Sequence, residues 1–244
     1  MPDAVVKTPI PWIRVVAEGF VIVVSILMAF GIEAWWQGRQ EGAQALDIEQ
    51  AALESMLADL AADTSEVRGV LDYARIHDRA AATTLHMLQG TMSADSIGYV
   101  MLNFMYGGPY NFQRSGFVSL RSADRLSYIT NHEIRAASTA YFDKRQPELD
   151  RSQALELERR VRLLTALSAH VRWPIPPTSE TSWPVEGPVV VVTPWADFRS
   201  SNQVAFRLQD FGGLSHDVWR YAETVLQDNA ALRDLIEGEL ARRW

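Results

Sequence analysis

An uncharged apolar stretch near the N-terminus constrains this chain more than any other feature. Gly19–Ile32 holds 14 residues without a charged side chain, and the apolar zone extends over Val15–Trp36, 22 residues, when two flanking glutamates are included. A helix needs ~20 residues to cross ~30 Å of hydrocarbon. Trp12 lies at one end and the Trp35-Trp36 pair at the other, and indole rings prefer the headgroup region. The pattern predicts a transmembrane helix at residues 14–36.

Two other interpretations of this stretch stay open. A cleavable signal peptide has a charged start and an apolar core of 7–15 residues. Lys7 and Arg14 supply the charge, but no small-residue cleavage site follows the apolar core. A buried core helix would be equally apolar, but it leaves the tryptophans at both ends unexplained. We therefore favour a single-span anchor.

The basic residues around the span predict its orientation. Lys7 and Arg14 come at or before its start, whereas Arg39 follows it in the company of Glu41 and Asp47. Positively charged flanks favour the cytoplasmic side. We expect residues 1–13 to form a short cytoplasmic N-terminus. The rest of the chain would then lie in the periplasm, with the span in a bacterial inner membrane.

One face of the predicted span carries an unusual stripe. Its residues are separated by steps of four, three, four and four, which places them on one side of a helix: Glu18, Ile22, Ser25, Ala29 and Glu33. The pair Ser25 and Ala29 allows close helix approach. A carboxylate within a membrane usually marks a partner, although Glu18 can also reach the interface or pair with Arg14. We predict that the stripe contacts another membrane helix, between interface belts at Trp12, Trp35 and Trp36.

The residues after the span predict a long helix over 37–90. Apolar residues recur every seven positions, namely Leu46, Leu53, Leu60, Val67 and Ala74. A 3.5-residue period suits a coiled coil or one face of a helical bundle. Gln50 and Thr64 interrupt the seam, so the bundle face is favoured. The helix should end near Gly90.

Further helices are predicted in a domain spanning residues 91–171. A short helix follows the capping residues Ser93 and Asp95, and a second covers 111–123. The sequence Thr130–Glu133 has the form of a capping box and opens a long helix that reaches Val171, with Pro147 bending or breaking it.

The last predicted domain, residues 199–244, is also helical. A helix that starts near Asp197 should break at Gly212-Gly213 and restart after a cap at Ser215. The predicted fold class is thus mainly α, with a transmembrane helix that continues into an extramembrane helical bundle.

Residues 172–198 differ from the rest of the chain. Six of the 11 prolines lie between Pro174 and Pro194, interleaved with Trp173, Trp183 and Trp195. Dense proline favours an extended path, and the β-branched run at 189–192 can add one edge strand. In one interpretation the tryptophans fold against their own domain. In the other, they form a partner-binding arm, since exposed aromatics make good contacts.

Composition and motifs exclude many kinds of chemistry. The chain has no cysteine, so disulfides, iron–sulfur clusters and thiolate zinc sites are excluded. A net charge of −7 argues against nucleic-acid binding. Nucleotide-binding glycine loops and hydrolase motifs are absent, and none of the five histidines pairs with another at metal-binding spacing. We predict no catalytic residues, no metal and no cofactor.

The apolar segment also resembles a known group of proteins. The pattern E-x6-S-I-L-x-A-F-x-I-x-A-W-W, from Glu18 to Trp36, resembles an uncharacterised family of bacterial single-span membrane proteins. Weaker matches lie between Phe117 and Tyr141 and in the closing Leu235–Leu240. The resemblance implies a small membrane-anchored helical protein, and it implies neither an activity nor catalytic residues.

Two classes of function follow from these features. The first is a non-catalytic accessory or scaffolding subunit that stabilises a larger membrane complex, of the kind found in respiration or photosynthesis. Its partners would be other membrane protein subunits and the lipid bilayer. The alternative is a homo-oligomeric sensor or ion-conducting element, in which Glu18 residues from several copies meet.

Overall fold

The chain is mainly helical in a computed structural model that describes residues 12–107, 110–173 and 188–244. Helices hold 84% of the described residues and strands 2%, which confirms the mainly α class. The chain divides into two compact units, unit 1 up to Ala51 and unit 2 from Ala52 to Trp244.

Seven α-helices and one two-stranded sheet form the described part of the chain. The helices are α1 (Trp12–Gln89), α2 (Ile97–Leu102), α3 (Ser115–Ser122), α4 (His132–Ala140), α5 (Gln146–Ser168), α6 (Trp195–Arg199) and α7 (Asn202–Arg243). Short 3-10 helices cover Asn103–Met105 and Arg125–Tyr128, and a π-helix covers Tyr141–Arg145. Strands β1 (Val171–Arg172) and β2 (Val190–Val191) pair antiparallel, with Val171 opposite Val191.

The core of unit 2 consists of two apolar clusters along α1 and α7. The first joins the middle of α1 to the C-terminal half of α7 and includes Phe117, Tyr141 and Phe142. The second joins the end of α1 to the N-terminal half of α7 and is built around Phe104 and Phe198. Burial of these side chains from water is the main force that holds the helices together.

The seven-residue repeat of α1 is buried where unit 2 begins. Leu53, Leu60, Val67 and Ala74 are all fully buried, whereas Leu46, in unit 1, is exposed. The helix ends at Gln89, and Gly90 follows with a φ of 78°. This left-handed conformation suits glycine at a helix C-terminus, so the predicted end near Gly90 is confirmed.

The predicted break at Gly212-Gly213 is wrong, because α7 runs through both glycines. A Cβ at Gly212 would lie 2.8 Å from the Cβ of Ala81, so the glycine allows α7 to approach α1 closely. Ser215 does not cap a new helix. The cap of α7 is Ser201, whose Oγ accepts a hydrogen bond from Val204 N at 3.4 Å.

The helix predicted over 111–123 begins later than expected, at Ser115. The long helix predicted from Thr130 is divided into α4, a π-helix and α5, and Pro147 lies in the first turn of α5. Because the residues before it are also helical, Pro147 removes one backbone hydrogen bond from a continuous helix, and this loss coincides with the π-helix. The helical region ends at Ser168, short of the predicted Val171, which belongs to β1.

The predicted extended segment 172–198 is described only at its two ends, because residues 174–187 lie outside the described residues. The strand expected at 189–192 is present as β2. The expectation of an extended chain up to residue 198 is wrong, since α6 begins at Trp195. Pro194 is the N-cap residue of α6 and still has an extended backbone, with a ψ of 136°.

Candidate functional site

Among the described helices, only α1 contains a segment long and apolar enough to cross a membrane. This segment lies in unit 1, and none of the residues in its most apolar 18-residue stretch is buried. Its large apolar side chains are exposed on all faces of the helix, for example Phe20, Leu27 and Phe30. Ser25 Oγ donates a hydrogen bond to Val21 O at 2.8 Å, which satisfies its polar group within the helix.

The stripe predicted on this helix lies on continuous helical backbone. Glu18, Ile22, Ser25, Ala29 and Glu33 are all exposed, at the spacing of one helix face. At the C-terminal belt, the Trp35 and Trp36 rings are exposed with centroids 6.4 Å apart, and the Arg39 guanidinium lies 5.7 Å from the Trp35 ring. Trp12 is the first residue of α1.

Two of the three tryptophans of the predicted partner arm lie within the described residues: Trp173 directly follows β1, and Trp195 is the first residue of α6. Trp173 and Trp195 are partly buried against the second core cluster, and the Trp195 ring meets Phe198 edge-on with centroids 5.7 Å apart. Trp183 lies outside the described residues. The packing of Trp173 and Trp195 agrees with the interpretation in which these side chains fold against their own domain.

Unit 2 contains a cleft of about 410 Å³ between α1, α5 and the two residues Gly107 and Tyr110. Its lining residues come from all of these parts: Val70, Tyr73, His77, Gly107, Tyr110, Asp150, Gln153, Ala154, Glu156, Leu157 and Arg160. Tyr73 and Tyr110 meet edge-on with ring centroids 5.9 Å apart. This cleft was not predicted from the sequence.

A hydrogen-bonded pair of side chains, His77 and Glu156, forms the base of the cleft. His77 Nδ1 lies 2.9 Å from Glu156 Oε1, His77 Nε2 lies 2.9 Å from Tyr106 O, and Ser215 Oγ donates to Glu156 Oε1 at 2.8 Å. Burial raises the pKa of Glu156, but its contacts with His77, Ser215 and Arg160 together outweigh burial and leave the pKa below its usual value. Glu156 is therefore ionised at neutral pH and only accepts.

Two oxygen atoms hold the His77 ring in place. A backbone carbonyl cannot donate, so Nε2 carries a hydrogen toward Tyr106 O. Nδ1 forms the second hydrogen bond, with the Glu156 carboxyl group. The Arg160 guanidinium also donates to Tyr106 O and to Gly107 O, so it brings a positive charge to the base of the cleft.

A second polar cluster is centred on the fully buried Asp63 of α1. Its carboxylate accepts hydrogen bonds from Gln113 N at 2.6 Å, Gln146 Nε2 at 2.5 Å and Tyr141 OH at 3.2 Å. Asn229 extends the cluster by donating to Tyr141 OH at 2.9 Å. Burial raises the pKa of Asp63 to about 7, against the effect of the three hydrogen bonds. The cluster joins four separate segments of unit 2.

Asp63 belongs to a row of carboxylates on α1 that hold the chain before and within α3. Asp59 Oδ2 accepts from Gly116 N at 2.8 Å, and Glu66 Oε2 accepts from Asn111 N at 3.4 Å. Asp59 thereby caps α3, whose own N-cap residue, Arg114, provides no side-chain cap. The spacing of Asp59, Asp63 and Glu66 places the three carboxylates on one helix face, and this pattern is visible in the sequence. The backbone N–H groups that they bind lie far along the chain, so the sequence alone does not show their role.

Within the ranges that the structure describes, no three histidine, aspartate or glutamate side chains are grouped so that they could hold a metal ion. No protein-family model matches the chain, and neither a curated protein nor a solved structure does so. The resemblance to a family of single-span proteins therefore stays a prediction.

Proposed function

We propose that the chain is a non-catalytic, single-pass protein of the bacterial inner membrane that stabilises a larger membrane complex as an accessory or scaffolding subunit. The N-terminus would lie in the cytoplasm and unit 2 in the periplasm. The observation that carries this proposal is the apolar helix of unit 1, whose most apolar window has no buried residue. Such a surface is costly in water and stable in hydrocarbon.

The stripe from Glu18 to Glu33 supports a partner within the membrane. Lipid tails are as apolar as the side chains of a membrane helix, so the hydrophobic effect does not bring two helices together. Their association depends on close packing and polar contacts. Ser25 and Ala29 would allow a close crossing, and Glu18 would meet a polar group of the partner. A carboxylate costs ~2.5–3.5 kcal/mol at the centre of a membrane helix and less near its end, where Glu18 lies, and polar contacts lower this cost further.

Three matched substitutions test the partner surface. Ala29→Leu adds bulk to the stripe, Glu18→Leu removes its carboxylate, and Val23→Leu makes a similar change on another face of the helix. We expect the first two variants to lose co-purified membrane subunits after gentle solubilisation, while Val23→Leu retains them. Equal recovery with all three variants would contradict the proposal.

A homo-oligomeric sensor is the second candidate, and the cleft beside His77 favours it because sensing requires a ligand site. Native mass spectrometry of the gently solubilised protein distinguishes the two functions. A complex with different subunits supports the accessory function. A ring of identical chains supports the sensor or an ion-conducting element.

A further inference from the structure

The walls of the cleft in unit 2 are aromatic, and two glycines allow the rings to lie against the backbone. A Cβ at Gly69 would lie 2.5 Å from Cε1 of Tyr110, so this ring packs directly on the backbone of α1. Gly107 has a φ of 124°, and a Cβ there would lie 2.9 Å from Cε1 of Tyr73. Both rings thus pack against the backbone at positions where only glycine leaves room for them.

The phenol groups of these walls can donate hydrogen bonds. Among the residues that the structure describes, neither Tyr73 nor Tyr110 has a hydrogen-bond partner for its hydroxyl group. Burial raises the pKa of both phenols above the usual value, so both keep their hydrogens at neutral pH. A ligand with acceptor oxygens would satisfy them.

Charge is distributed unevenly along the cleft. The guanidinium of Arg160 lies at its base, beside the hydrogen-bonded pair of His77 and Glu156. Arg160 uses two nitrogens for backbone carbonyls and has further N–H groups. Asp150 lies ten residues earlier on α5, ~15 Å away along the helix axis. The base therefore favours an anion, and the opposite end does not.

We propose that this cleft binds a small aromatic carboxylate, with its acid group at Arg160 and its ring between Tyr73, Tyr110 and Leu157. Its volume of about 410 Å³ is at the lower end of the range for ligand sites, ~300–1,000 Å³. Guanidinium and carboxylate form strong paired hydrogen bonds, and aromatic walls stack on a flat ring. This site is independent of the accessory function proposed above.

Three small molecules separate the contributions to binding by the full chain in lipid nanodiscs. Phenylacetate carries both ring and charge, phenylacetamide has the ring without the charge, and acetate has the charge without the ring. Ligand-observed NMR should detect phenylacetate binding about tenfold tighter than either relative, the size expected for one charged contact. Equal binding of phenylacetamide, or no binding of phenylacetate, would overturn the proposal.

Two tryptophan substitutions on α5 locate the binding site. Ala154 lines the cleft and is exposed, so Ala154→Trp fills the cleft without disturbing the core. Leu155 is exposed on the same helix and does not line the cleft. We expect Ala154→Trp to weaken phenylacetate binding by about tenfold or more and Leu155→Trp to leave it unchanged. Equal binding by both variants would show that the cleft is not the site.

Discussion

Gln146 donates its side-chain amide hydrogen to Asp63 Oδ2 across 2.5 Å, and both side chains are fully buried. The same amide nitrogen donates to Gln113 O at 3.1 Å. One side chain of α5 thereby ties α1 to the segment before α3. A buried carboxylate at this junction makes the stability of unit 2 depend on pH.

Unit 2 should become less stable as the pH rises from about 4 to about 7. The pKa of Asp63 is about 7 in the folded state and 3.8 in the unfolded chain, so only the folded state keeps the proton between these values. Each pH unit in this window lowers the free energy of unfolding by ~1.4 kcal/mol. Urea unfolding of the full chain at several pH values measures this slope.

Asp63→Asn should flatten the slope, whatever its effect on absolute stability, because the variant has no carboxyl group to titrate. Asp72 is exposed on the same helix, and Asp72→Asn is the matched control. An unchanged slope in Asp63→Asn would mean that another group is responsible.

Gly212→Ala should destabilise the protein although alanine is the better helix former. Its Cβ would lie 2.8 Å from the Cβ of Ala81, a contact that two packed helices relieve only by moving apart. Overpacking costs ~1–3 kcal/mol, more than the ~1 kcal/mol gained in helix propensity.

The neighbouring glycine provides the control for this substitution. Gly213 is exposed, and a Cβ at this position would meet no other atom within 4 Å, so Gly213→Ala should stabilise by ~1 kcal/mol. Thermal unfolding followed by circular dichroism compares the two variants. Equal stabilisation by both would contradict the close approach of α1 and α7.

Asn131→Ala should cost ~1–2 kcal/mol, because Asn131 Oδ1 accepts from Glu133 N and Ile134 N at the start of α4. Its amide also donates to Glu239 Oε2 at 2.9 Å. This hydrogen bond, followed by nearby arginines, lowers the pKa of Glu239. The resulting stability is present above pH 4.5 and is lost as the pH falls through the lower folded-state value.

A second variant separates the cap from the bond to Glu239. Asn131→Asp keeps an acceptor for the two N–H groups but removes the donor to Glu239. We expect it to retain the cap but to lose stability above pH 4.5, because repulsion between two carboxylates replaces the bond to Glu239. If both variants keep the pH dependence of the original protein, the bond to Glu239 contributes nothing.

Glu156→Gln should destabilise unit 2 by ~2 kcal/mol, because it removes the charged partner of the His77 ring and of the Ser215 hydroxyl. Thermal unfolding followed by circular dichroism measures this loss. Glu158→Gln, at an exposed site on the same helix, should leave the stability nearly unchanged. Equal stability of the two variants would contradict the role of Glu156.

Local sequence signals predicted the helices well where the contacts are local. The seven-residue repeat of α1 and the glycine that follows Gln89 act within one segment, and both were interpreted correctly. The prediction at Gly212 was wrong because the reason for this glycine is Ala81, a contact that exists only after folding. The predicted start of α3 was wrong because its cap comes from Asp59, more than 50 residues earlier.

The candidate sites also differ in whether their residues lie close together in the sequence or only in the folded chain. The apolar helix and the exposed stripe on it follow from spacing along one helix, so both can be recognised in the sequence. The cleft depends on Tyr73, Tyr110 and Arg160, which come from three segments that the fold brings together. No spacing rule connects these residues. The hydrogen bond between His77 and Glu156 cannot be predicted for the same reason, since 79 positions separate the two side chains.

Single-cysteine labelling tests the central claim, one membrane crossing with the N-terminus in the cytoplasm, most directly. The chain has no cysteine of its own, so Ala4→Cys and Asp95→Cys each provide one thiol, and Asp95 is exposed in unit 2. In intact spheroplasts, an impermeant reagent should label position 95, and it should label position 4 only after the membrane is permeabilised. Labelling at position 4 with protection at position 95 would contradict the orientation, and protection of both would contradict the crossing.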